Sequence, residues 1–243
     1  MNRFIGDFNL TGKSLSLTDR KLVNQVRNVL RMRAGESMIL SDGKGKEVLA
    51  EILAVRKDCI DVRINGELKN LNEPSVHATL CCSILKKENF EWVVQKACEV
   101  GVREIIPLFA ERTVKTRIHE ERLKKIIKEA AEQSERKILP VLHPTFTFQD
   151  AVHRLKKGNL NLLFHRSGIA LHDIKEKMLA AADRETKIPE VNYFIGPEGG
   201  WSDQEIRLAI DSDVTIVNLA RLNLRAETAA VVAGYMICWK LFP

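Results

Sequence analysis

The chain has no apolar run long enough to cross a bilayer. Its longest, Ala229–Trp239, falls well short of the about 20 residues that a spanning helix needs. The first ten residues, MNRFIGDFNL, carry no long apolar core, so no secretory signal is expected there. Cysteine is scarce and odd in number: Cys59, Cys81, Cys82, Cys98 and Cys238, with no CxxC pair. Mostly apolar neighbours make these free thiols of a reducing cytosol rather than a disulfide framework or zinc site. The six histidines show no ligand spacing, so no metal is expected. GxxxxGK[ST] and GxGxxG are both missing, which excludes those two nucleotide-binding fingerprints. Internal repeats and low-complexity segments are missing too. These absences predict a cytoplasmic protein that is neither anchored in nor spanning a membrane.

What is present is a globular composition, with 45% hydrophobic and 29% charged residues in 243, enough for one large domain or two modest ones. The net charge of +6 and pI of about 9.1 fit a polyanion partner such as RNA. They fit equally well many proteins with no nucleic-acid role.

The texture changes along the chain. Residues 1 to about 70 show short alternating segments and turn signals: Ser37–Leu40, Glu47–Val55 and Ile60–Ile64 read as strands. One helix interrupts them, with Thr18 as its expected N-cap and Leu22, Val26, Val29 and Leu30 as its apolar stripe. A small β-barrel with one helix is expected, followed by a linker over Asn65–Ser75. From residue 76 onward, strand and helix alternate. Strands are expected at Ala78–Leu85, Glu104–Phe109, Leu160–Phe164, Val191–Ile195 and Val214–Leu219. Helices are expected at Glu88–Val100, capped by Gly101, and at Glu120–Lys137, Leu171–Ala182, Asp203–Ile210 and Glu227–Lys240. Ser202 and Glu205 have capping-box spacing before the fourth of these. This is the pattern of an α/β domain, residues 76–243, with a mainly parallel sheet.

Two loops concentrate the chemistry. Ile195–Glu205 reads IGPEGGWSDQE and Leu219–Ala230 reads LARLNLRAETAA. Each follows an apolar strand, at the end of the sheet where ligands collect in α/β folds. Gly196, Gly199 and Gly200 let the backbone come close to a ligand; a tight strand-to-helix turn would demand the same glycines. Arg225 and Glu227 stand before a mostly apolar helix. They form either a reaction site or an ordinary ion pair with an acidic residue favoured by the helix dipole. Arg27, Arg31 and Arg33 either grip phosphates or form a solvated face. Gln133, Ser134 and Arg136 by themselves mark only a helix end.

Taken in order, EWVVQKACEVGVREIIPLFAERT, EAAEQSERKILP, FIGPEGGWSDQE and LNLRAETAAVVAG resemble the bacterial 16S rRNA (uracil-N3) methyltransferases, the RsmE family. VRNVLRMRAGESMILSDGKG is similar to that family's small RNA-binding domain. The resemblance implies a PUA-like β-barrel over 1–70 that binds RNA. It implies a SPOUT methyltransferase domain with a trefoil knot over 76–243, a rare exception to unknotted chains. It further implies S-adenosylmethionine as methyl donor, a homodimer, and free 16S rRNA or the assembled small ribosomal subunit as substrate. Carried onto this sequence, it gives the cofactor to Gly196, Pro197, Glu198, Gly199 and Gly200, to Leu219, Ala220, Leu222 and Leu224, and to Leu163 and Phe164. Arg225 and Glu227 become catalytic, with Glu227 orienting Arg225, because a neighbouring cation makes a carboxylate a weak base. Arg27, Arg31, Arg33 and Arg136 become RNA contacts. Where the family has LGxRILR this chain has LARLNLR, so Ala220 replaces a glycine, Leu222 an arginine and Asn223 an isoleucine. Two rival functions share most of these features: methylation at another RNA position by the same fold, and RNA binding without catalysis.

Overall fold

The computed structural model describes residues 1–69, 71–86, 88–114, 117–174 and 188–242. They form two compact units, Met1–Glu73 with Ala131–Leu139, and Pro74–Ala130 with Pro140–Pro243.

The first unit is a five-stranded sheet. β1 (Arg3–Ile5), β2 (Ser14–Leu17), β3 (Ser37–Ser41), β4 (Glu47–Val55) and β5 (Ile60–Glu67) lie in the order β1-β3-β4-β5-β2. Alternate residues turn inward, as period-2 patterning requires: Met38 and Leu40, then Val48, Ala50 and Ile52, then Ile60 and Val62. Two register shifts between β4 and β5 curl the sheet around this core. Helix α1 (Arg20–Asn24) is capped by Asp19 and not by Thr18, because the Asp19 carboxylate accepts the Leu22 N–H at 2.8 Å. The helix then widens into a π-turn over Gln25–Val29, with Leu30 N–H bonded to Gln25 O. The added winding breaks the expected stripe: Leu22 and Val26 are buried, but Val29 is 66% exposed and Leu30 39%. Residues 131–139 belong to this unit through several polar ties. Arg136 is only 4% exposed and pairs with Glu73 at 2.9 Å, while the same carboxylate accepts Lys137 N and Ile138 N at 3.1 Å. Ile5 N donates to Glu132 at 2.8 Å.

The second unit is a parallel sheet. Its strands are β6 (His77–Ser83), β7 (Glu104–Phe109), β8 (Val141–Leu142), β9 (Phe146–Thr147), β10 (Leu160–Ala170), β11 (Glu190–Ile195) and β12 (Thr215–Asn218). The order is β12-β10-β11-β6-β7-β8, with β9 also on β7, and every pairing is parallel. Parallel sheets need cover on both faces, and accordingly Ala78–Ser83 of β6 are buried, as are Val191, Tyr193, Phe194 and Ile195 of β11. Helices α2 (Glu88–Glu99), α3 (Glu120–Gln133), α4 (Phe148–His153), α5 (Asp203–Asp211) and α6 (Ala226–Met236) complete the chain. Helix α6 packs on α2 and on β6 and β11. On α4 and α5, Phe148, Ala151, Val152 and Ala209 meet Leu163, Phe194 and Trp201 in one core. The Phe148 ring lies 4.8 Å from Trp201 and 5.8 Å from Phe194.

Several expected boundaries move, and four of the shifts have a visible cause or a new element. α3 stops at Gln133, four residues short of Lys137, because Glu135 takes φ 60° and Arg136 N–H turns back to Ala131 O. β10 runs on past Phe164 to Ala170, through a register shift against β12. The helix expected over Leu171–Ala182 begins as a single tight turn, Leu171–Ile174; residues 175–182 lie outside the described residues. The last helix begins at Ala226 and becomes a π-turn over Ile237–Leu241.

At the amino ends of the strands, Glu104 accepts from two histidines, with His77 Nε2 at 2.7 Å and His143 Nε2 at 2.6 Å. The His77 hydrogen bond, against the opposing effect of burial and helped by His143, lowers the Glu104 carboxyl from 4.5 to about 2. A depressed carboxyl contributes stability that is complete above the unfolded value and is lost as pH falls toward the folded one. Glu104→Gln is therefore expected to lower the melting temperature at neutral pH. Its gap from the unsubstituted protein should shrink between about pH 4.5 and pH 2, as thermal melts across that range would show.

Candidate active site

The carboxyl ends of β10, β11 and β12 open onto two cavities. One, of about 370 Å³, is walled by Leu219–Leu224 after β12 and by Phe164, His165 and Arg166 of β10. The other, of about 770 Å³, is walled by Gly196–Trp201 after β11 and by Arg225, Ala226 and Glu227 at the start of α6. Phe164, His165, Arg166, Asn223, Leu224 and Ala229 line both, so the two form neighbouring compartments with a common wall.

The glycine loop is held from several sides. Gly200 has φ 71° and its N–H closes a turn onto Pro197 O at 2.9 Å. Nothing occupies the space its Cβ would take, so its backbone is open to a neighbour. A Cβ on Gly196 would instead meet the Trp201 indole at 3.0 Å. That indole donates to Phe164 O at 3.3 Å and so ties the loop to β10. Arg112 donates to Gly199 O at 3.0 Å, Lys86 N–H to Glu198 Oε1 at 3.2 Å, and Glu111 N–H to Glu205 Oε1 at 2.9 Å. The expected capping box forms, with Ser202 N–H on Glu205 Oε2 and Glu205 N–H on Ser202 Oγ. Glu205 thus caps α5 and anchors the loop after β7 together. In the second loop, Asn218 Oδ1 accepts Ala220 N–H and its amide donates to Arg166 O, each at 3.0 Å.

Electrostatically the larger cavity is mixed. Arg225 stands at the N-cap position of α6, where its side chain makes no capping bond. It is 86% exposed and reaches Glu227 only at 4.0 Å, while Glu227 is 16% exposed. Burial pushes the thiol of Cys82, on β6, well above its ordinary range, and the charges of Glu198 and Glu227 push it further. The wall of the larger cavity thus carries the carboxylates of Glu198 and Glu227 and the guanidinium groups of Arg112, Arg166 and Arg225.

The structure brings most of the expected residues together. Phe164, Gly196, Pro197, Glu198, Gly199, Gly200, Arg225 and Glu227 line the larger cavity, and Leu219, Ala220, Leu222 and Leu224 line the smaller. Leu163 lies behind the wall, fully buried in the core with Phe194 and Trp201. Arg27, Arg31 and Arg33 are exposed in the first unit, with Arg31 at φ 52°. Arg136 is held against Glu73 as described. Asn89, Arg112, His165, Arg166, Trp201 and Asn218 were missed. Trp201 and Arg112, inside segments quoted for the resemblance, carried a signal, while the others lie in segments whose local pattern is ordinary.

The model of an RNA methyltransferase domain matches residues 72–237, and that of an RNA methyltransferase PUA domain matches residues 26–65. A ribosomal RNA small subunit methyltransferase E of Rickettsia conorii is 32% identical over 212 residues, covering 87% of this chain and 84% of the relative. Its counterpart in Bacillus subtilis is 27% identical, covering 93% and 87%. The crystal structure of a ribosomal RNA small subunit methyltransferase E from Neisseria gonorrhoeae, bound to S-adenosyl methionine, superposes with a TM-score of 0.86 at 30% identity, covering 98% of each chain.

Proposed function

The chain belongs to the RNA methyltransferase family whose domain model spans residues 72–237, and on that premise we propose that it methylates N3 of a uridine in 16S rRNA, with S-adenosylmethionine as donor. The observation that carries this reading is the pair of adjoining cavities, one ringed by the loop Leu219–Leu224 and the other bearing Arg225 and Glu227.

The residues fit the cofactor. A volume of about 370 Å³ lies within the roughly 300–1,000 Å³ of small-molecule sites. Gly200 leaves open the space that a Cβ would fill. The backbone of Gly196–Gly200 and Leu219–Leu224 would hold the adenosine and methionine parts, with Phe164 as an apolar wall and Leu163 supporting it from behind. Bound there, S-adenosylmethionine supplies an electrophilic methyl on a sulfonium.

The remaining work falls to the chain. A Watson–Crick edge is closed in a duplex, so the target base must be unpaired or flipped out. Walls on three strand ends would hold N3 beside the donor methyl, and positioning of this kind supplies much of the rate. As N3 loses its proton to solvent water, negative charge builds on O2 and O4 of the base. Arg225 donates to that charge from the open side, as an oxyanion-hole group does, and Glu227 orients it.

RNA is gripped by the first unit, whose Arg27, Arg31 and Arg33 are exposed and free to meet phosphates. Arg136 joins them only when it leaves Glu73. The second unit pairs with a second copy of the chain through α6 and α2. Val232 and Tyr235 on α6, Trp239 in the π-turn after it and Trp92 on α2 are exposed apolar side chains, an excess that a self-complementary interface would cover. The folds named SPOUT and PUA-like, the domain limits 1–70 and 76–243, the trefoil knot and a cytoplasmic location complete the reading.

Calorimetric titration with S-adenosylmethionine, followed by transfer of labelled methyl to free 16S rRNA and to assembled small subunits, tests it. Saturable cofactor binding and label in one of the two substrates are expected. RNA binding with no cofactor binding would replace the enzyme with a non-catalytic module.

A further inference from the structure

Resting on that reading, we propose that His165 is a specificity-determining residue: a fixed Nε2–H donor that reads a carbonyl oxygen of the target base and so selects uracil over cytosine. Two observations carry this.

The first is position. His165 follows Phe164 on β10 and lines both cavities. It therefore stands on the seam between cofactor and base, where the reacting edge must lie. Arg225 and Glu227 border the same larger cavity.

The second is its tautomer. His165 Nδ1 lies 2.7 Å from Ser167 Oγ and accepts the Ser167 backbone N–H at 3.3 Å. A peptide N–H can only donate, so Nδ1 must present a lone pair. In a neutral ring the proton then resides on Nε2, since one nitrogen's hydrogen bond sets the state of the other. Among the described residues none bonds Nε2. A backbone group imposes this lock, so removing the Ser167 hydroxyl would not release it.

The chemistry of the two pyrimidines does the rest. Uracil offers acceptor oxygens on both sides of N3, whereas cytosine carries an amino donor at position 4. A fixed N–H donor that faces position 4 meets the O4 acceptor of uracil in the first case and the amino donor of cytosine in the second. As the N3 proton leaves, charge grows on the uracil oxygen, so the same hydrogen bond strengthens toward the transition state.

The test compares the unsubstituted protein with His165→Ala and His165→Gln, on rRNA carrying uridine or cytidine at the target position. His165→Ala should slow uridine methylation by about 10²-fold, the loss typical of one such donor, with cofactor affinity unchanged. The uridine-over-cytidine rate ratio should fall by at least about tenfold. His165→Gln, whose amide nitrogen replaces Nε2 as a donor, should restore most of both. Nitrogen-15 spectra should show Nδ1 unprotonated. Two results would overturn the inference: an unchanged ratio in His165→Ala, as equal slowing on both bases gives, or a protonated Nδ1. If the unsubstituted protein methylates neither RNA, the reading of the function itself has failed.

Discussion

Arg225→Ala is expected to slow single-turnover methyl transfer by about 10²–10³-fold, the typical cost of losing one donor to a developing oxyanion. Cofactor affinity and melting temperature should stay close to those of the unsubstituted protein. The structure separates this outcome from the alternative of a structural ion pair. Arg225 is 86% exposed and touches Glu227 only at 4.0 Å, and such a pair contributes little to stability. A side chain so loosely held in the absence of substrate is free to close on one. Arg225→Lys should recover little, because a point charge lacks the planar fork of the guanidinium. A large fall in melting temperature and cofactor affinity, with turnover per bound complex unchanged, would return Arg225 to a structural role.

Gly168→Ala should damage the site from behind. Gly168 lies in the irregular stretch of β10 that faces β12. A Cβ there would lie 2.5 Å from the backbone N and C of Val217 and 2.6 Å from the backbone C of Ile216. None of these atoms belongs to a side chain that can swing away, so the two strands must part. The stretch leading to Gly168 carries His165 and Arg166, and the Asn218 amide bonds Arg166 O across the same seam. Overpacking of this kind costs about 1–3 kcal/mol or more, and each kcal/mol lowers the melting temperature of a domain this size by roughly 2–4 °C. Cofactor affinity should fall more than about tenfold, because both cavities share that wall. A melt and a calorimetric titration matching the unsubstituted protein would show that β10 and β12 need not lie so close.

The same residue shows where sequence reading stops. Gly168 lies beyond Phe164, where the apolar run of β10 ends, and nothing local marks it as a strand-to-strand contact. The two loops were legible because their glycines, capping box and charged pair break the surrounding strand and helix patterns. β4 and β7 were legible end to end because their apolar content stops at clear turns. β8 and β9, two residues each, are too short for any periodicity. Val29 and Leu30 were misplaced because a π-turn shifts the helical register without a sequence signal. Arg112 reaches Gly199 across 87 positions, and Arg136 reaches Glu73 across 63. Pairs of that kind are set by topology, and a single sequence does not record them.

Nucleoside mass spectrometry tests the central claim most directly. 16S rRNA lacking the modification is incubated with the protein and S-adenosylmethionine, then digested to nucleosides. Methylation at N3 predicts one new species, a uridine methylated on the base, formed far more slowly when Arg225→Ala replaces the unsubstituted protein. A ribose-methylated nucleoside would place the reaction on a hydroxyl and remove the oxyanion argument for Arg225. No methylated nucleoside from either free rRNA or assembled subunits would contradict the enzyme altogether.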